Sequence, residues 1–81
     1  MNLQLLRTFL SVRKHLNYTR AGEELFLSQP AVSRQIKQLE NEFGVQLIEQ
    51  LGKSLRLTKA GQTLVVESEM LLGAMERTKE A

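Results

Sequence analysis

The chain is 81 residues long with no cysteine, one histidine and a formal net charge of +2. That length allows one domain, and the composition excludes disulfides, thiolate metal sites and a zinc site built from the lone His15. A core this small is marginal, and a partner chain is the remaining candidate for added support.

The charge is unevenly placed. Residues 1–59 hold nine Lys/Arg and five Glu, a balance of +4, whereas residues 60–81 hold two Lys/Arg and four Glu, a balance of −2. The basic part is where a polyanion would bind. No run of about 18 apolar residues exists. The opening "MNLQLLRTFL" lacks the basic-then-apolar order of a secretion signal, so a cytoplasmic protein with no membrane partner is expected.

Leu3, Leu5, Leu6, Phe9, Leu10, Val12 and Leu16 recur at three- and four-residue steps and predict a first helix over about residues 2–15, with Asn17 at its end. "NYTRAGEELFLS" predicts a short second helix over about 19–26, capped by Thr19, with Ala21, Leu25 and Phe26 pointing inward. Gly22 inside it suggests close approach of a neighbouring helix.

In "LSQPAVSRQIKQLE", Ser28 suits an N-cap and Pro30 suits a first turn. Val32, Ile36, Leu39 and Phe43 fall within about 60° of one another on a helical wheel, and Gly44 fits a left-handed end. Pro30, Ser33, Arg34, Lys37 and Asn41 cluster opposite that stripe, and Leu25 to Leu39 contain no acid. Two helices joined by so short a turn make a helix-turn-helix, and a narrow cationic face free of acids suits the DNA major groove.

"VQLIEQ" and "LRLT" are short strand-like runs around "LGKS". They predict a hairpin over about 46–57 with Lys53 at its tip, which would be the wing of a winged helix. Thr58 would cap a last helix over about 59–79. Ala60, Leu64, Leu71 and Met75 line one stripe of it, widened by Val65 and Leu72, while Val66, Met70 and Ala74 line a second. One small domain covers one such face, so a second copy of the same helix is expected. Leu64, Leu71, Leu72 and Met75 are the expected dimer interface.

"TRAGEEL", "LSQPAVSRQIKQLE", "FGVQL" and "LTKAG" stand in an order and spacing that resembles the N-terminal DNA-binding domain of LysR-type bacterial transcriptional regulators. The resemblance covers residues 1 to about 61. It implies a mainly α fold with a winged helix-turn-helix over 1–58 (helix-turn-helix about 18–37) and a linker helix over 59–81 that pairs two chains. It further implies a C-terminal effector-binding domain for a small molecule, which this sequence does not contain.

Carried over by position, Gln29, Pro30, Ser33 and Arg34 would meet bases and nearby sugar-phosphate, and Ser28 is a further DNA-binding candidate. Thr19, Arg20 and Lys37 would meet phosphates, and Lys53 would be the wing contact. The chain departs from the family where Ile48 and Gln50 replace an aromatic residue and a cation, and where Gly22 replaces an alanine. No phosphate-binding glycine loop, nucleophile elbow or histidine–carboxylate motif points to an enzyme, and no cofactor is expected. The other class of reading is a winged helix used only for protein contacts.

Overall fold

The computed structural model describes residues 2–80. Four helices and one hairpin follow in order: α1 Leu3–His15, α2 Tyr18–Leu25, α3 Gln29–Phe43, β1 Ile48–Leu51, β2 Ser54–Leu57 and α4 Lys59–Glu80. This is the mainly α winged helix-turn-helix with a long last helix that the sequence predicts.

α1, α2 and α3 pack on one another around a core of Leu6, Phe9, Val12, Val32, Ile36 and Leu39. Each inward side chain lies on the stripe that the spacing predicts for α1 and α3. Three polar ties fix how the helices sit. Thr8 is fully buried, and its hydroxyl donates to Gln35 Oε1 at 2.5 Å, joining α1 to α3. Ser11 donates to Glu24 Oε1 at 2.6 Å, joining α1 to α2. Glu40 Oε2 accepts the N–H groups of Leu47 (2.7 Å) and Ile48 (3.2 Å), joining the end of α3 to the hairpin.

α2 differs from expectation at both ends. Its cap is Asn17, whose side-chain oxygen accepts the Arg20 N–H at 2.9 Å; Thr19 lies inside the first turn. The preceding Leu16 turns left-handed (φ 50°) and ends α1, which places Asn17 rather than Thr19 in the extended conformation that a cap needs. At the other end Phe26 does not point inward. It takes the left-handed conformation (φ 59°) and is 95% exposed.

Gly22 is close-packed chiefly by the turn after its own helix rather than by a neighbouring helix. Leu27 donates to the Gly22 carbonyl at 2.8 Å, and the Leu27 carbonyl occupies the place where a Cβ would project. The glycine therefore tightens this turn.

α3 ends at Gly44 (φ 68°), and the antiparallel wing pairs Ile48 with Leu57 and Leu51 with Ser54. Thr58 caps α4: its Oγ accepts the Gly61 N–H at 3.0 Å and donates to the Gln46 carbonyl at 2.6 Å. Gly61 is buried where a Cβ would strike the Leu47 carbonyl, so α4 starts hard against the base of the wing. Twenty-two residues make a helix about 33 Å long. Its buried residues are Gly61, Val65 and Ser68, and none lies beyond Ser68.

Candidate nucleic-acid interface

Ser28, Gln29 and Pro30 open α3 in solvent. Ser28 Oγ accepts the Ala31 N–H at 3.2 Å, and Pro30 stands in the first turn where no N–H is required. Because the wheel turns Val32, Ile36 and Leu39 into the core, Arg34 and Lys37 are exposed and Ser33 is half-buried between the two faces. Thr19 and Arg20 are exposed at the start of α2, and Lys53 is exposed at the tip of the wing. The predicted contact residues thus fall on three segments: the first turn of α2, the first half of α3 and the hairpin tip.

The electrostatics favour an external anion. Among the described residues, Arg20, Arg34, Lys37 and Lys53 form no ion pair, whereas Lys14 pairs with Glu24 and Arg56 with Glu49. Glu40, the first acid after the long acid-free stretch, is turned back onto the amides of Leu47 and Ile48. Its charge is held at the base of the wing and away from Arg34. The Arg56–Glu49 pair (2.8 Å) joins directly opposed residues of the wing and occupies a cation that could replace the one missing at Gln50. Burial, and after it the charge of Glu40, raises the Tyr18 hydroxyl above its usual value.

Three functional supports escape sequence reasoning. Asn17 competes with Thr19 for the same cap, and only the backbone decides between them. Gln35 orients α3 through Thr8, a partner 27 residues away that no local pattern reveals. Glu40 carries one legible signal, since it interrupts a face otherwise free of acids.

The apolar residues of α4 divide differently from the two predicted stripes. Leu64 and Leu72 pack partly against the core, and Met75 is half-buried. Leu71 is 44% exposed, Val66 55% and Met70 62%. Leu64 and Leu71 also line an apolar groove of about 460 Å³ with Leu6, Phe43, Val45 and Leu47. The Ser68 hydroxyl is buried at this groove without a hydrogen-bond partner among the described residues.

Comparison with known proteins agrees with this architecture. The family described as bacterial regulatory helix-turn-helix protein, lysR family, matches residues 3–62. The RuBisCO operon transcriptional regulator of Allochromatium vinosum is 56% identical over 62 residues, covering 76% of this chain and 20% of that protein. The HTH-type transcriptional regulator HdfR of Yersinia pestis is 44% identical over 80 residues, covering 99% of this chain and 27% of that protein. The chain therefore spans about a fifth to a quarter of the length of these relatives. Among solved structures, the DNA-binding domain of CbnR in complex with DNA superposes with a TM-score of 0.94 at 30% identity, covering 99% of this chain and 92% of that one. On the match over most of its length, the chain belongs to the LysR family of bacterial regulatory helix-turn-helix proteins and has the fold of that family's DNA-binding domain.

Proposed function

We propose that this domain reads double-stranded DNA as a homodimer, with α3 of each copy in a major groove of an interrupted inverted repeat. The observation that carries the reading is the free face of α3. Arg34 and Lys37 stand exposed and unpaired on a stretch without acids, and the next acid is bound to the wing. Phosphate repulsion would make an acid on that face costly.

The contacts divide by chemistry. Arg34 can hold guanine O6 and N7 with two hydrogen bonds, Gln29 can reach adenine, Pro30 can meet a thymine methyl, and Ser33 can donate or accept. Thr19, Arg20, Ser28, Lys37 and Lys53 would meet sugar-phosphate, where they would add affinity without sequence information. The second copy would come through α4, whose Val66, Met70 and Leu71 stay exposed within one chain. Leu64, Leu72 and Met75 would contribute the surface that the core leaves free.

The action is binding rather than turnover, in the bacterial cytoplasm at the nucleoid. No helix of the described residues is long and apolar enough to cross a membrane. Control by a small-molecule effector would belong to a further domain, since the relatives are several times longer than this chain.

Fluorescence anisotropy on a pool of random duplexes at several salt concentrations, followed by sequencing of the bound fraction, tests the reading. An enriched inverted repeat with affinity falling steeply as salt rises is expected. Arg34→Ala should lower sequence preference by about 1–3 kcal/mol. Lys37→Ala should weaken all sequences alike and reduce the salt slope by about one unit. Absence of binding at low salt would leave the protein-contact winged helix as the better account.

A further inference from the structure

Phe26 carries two costs that the fold does not repay. A left-handed backbone is disfavoured for any residue with a Cβ, and glycine or asparagine is the usual choice at such a helix end. Phe26 adopts it at φ 59°. The side chain is also 95% exposed, so it gains almost nothing from packing. Leu16 makes a useful contrast. It too is left-handed (φ 50°), but about half of its surface is covered, so packing within the domain offsets its strain.

The position of Phe26 supplies the missing gain. It ends α2 and precedes the cap of α3 by two residues, so its Cα lies within about 8 Å of that of Ser28. The backbone there is closely held, because Leu27 bonds to the Gly22 carbonyl and its own carbonyl rests on Gly22. A rigid turn thus presents one large apolar ring at the edge of the surface formed by Ser28, Gln29 and Pro30. Among the described residues, no charged group within that turn competes for the place, since residues 25–33 contain neither an acid nor a base.

We propose that Phe26 is a DNA-contacting residue that packs its ring on the deoxyribose edge of the strand flanking the groove entered by α3. This rests on the DNA reading of the α3 face. The contact is apolar and releases no counterion, so it adds affinity that salt does not weaken.

The test uses Phe26→Asn and Phe26→Gly, both compatible with a left-handed backbone. Binding is measured by anisotropy on the unselected duplex pool and on the duplex that the wild-type chain enriches from it. Both variants should bind each probe roughly tenfold more weakly. The salt slope and the dimer measured by sedimentation should stay as in the wild type, with a melting temperature no lower. Unchanged affinity in both variants would overturn the proposal. So would a loss confined to one base position, which would place the ring on a thymine methyl instead, or a loss accompanied by dissociation of the dimer. Arg34→Ala is run beside them: if it loses sequence preference while the Phe26 variants bind normally, the α3 reading stands and this inference alone fails. If Arg34→Ala also has no effect, the failure lies in the α3 reading.

Discussion

α3 and α4 are both amphipathic helices, yet each leaves a different kind of face to solvent. α3 buries Val32, Ile36 and Leu39 completely and shows water Gln29, Pro30, Arg34 and Lys37. α4 buries Val65 and Ser68 and shows water Val66, Met70 and Leu71 among its acids. The difference teaches what each free face can recognise. Unpaired cations exposed to solvent carry little desolvation cost until a polyanion arrives, whereas exposed aliphatics lose free energy until another apolar surface covers them. One chain therefore presents a cationic, polar face and an apolar face on separate helices.

The comparison can be broken hardest at the buried face of α3. Ile36→Ala should destabilise the domain by about 2–5 kcal/mol, read by chemical denaturation, while Met70→Ala on α4 should leave the monomer within about 0.5 kcal/mol of wild type. Equal losses would mean that α4 is packed as deeply as α3. Next comes the tie at the end of α3. Glu40→Ala leaves the amides of two buried residues, Leu47 and Ile48, without their acceptor and should cost about 1–3 kcal/mol. Glu40→Gln keeps an acceptor oxygen and should cost less; an equal cost would assign the effect to charge rather than to the bonds.

A gentler probe acts on α4. Polar replacement of Leu71 and Met75 together should shift sedimentation from dimer toward monomer without lowering the helical signal. A dimer that survives both changes would place the interface elsewhere. The smallest effect concerns Glu24, held at about 2 by hydrogen bonds from Lys14 and Ser11. A carboxylate with a lowered value supports the folded state fully above its ordinary range near 4.5 and loses that support as pH falls through about 2. The difference in melting temperature between wild type and Glu24→Gln should therefore shrink as pH drops across that window. The site is solvent-exposed, so the change is expected to be slight and weaker still in high salt.

Legibility followed chemistry. Both ends of α3 could be read because Ser28, Pro30 and Gly44 each have a local physical reason for their place. The wing was legible because Gly52 and Lys53 separate two short strand-like runs. The start of α2 was not, since Asn17 and Thr19 are both competent caps two positions apart. Nor was the end of α2, where an eight-residue helix offers too few turns for apolar spacing to show that Phe26 has left the periodic face. Among the proposed contact residues, exposure of Arg20, Arg34, Lys37 and Lys53 follows from the wheel and the hairpin. The long-range ties that hold them, Thr8 to Gln35 and Glu40 to the wing, depend on tertiary approach and leave no local pattern.

Leu47 joins those supports in one residue. Its N–H is bound by Glu40 of α3, and its carbonyl accepts the N–H of Thr58 (3.0 Å), the cap of α4. α4 is thus clamped at its start by Leu47 and Gly61, held against the core as far as Leu72, and largely exposed beyond it. A sideways load at its far end acts over the last eight residues, an arm of about 12 Å, so an angular change there becomes a displacement of a few ångströms at the tip. Read in reverse, the spacing of two such domains would be set by how these helices cross, and that angle would reach α3 both through the Leu47 peptide and through α1, on which α4 also packs.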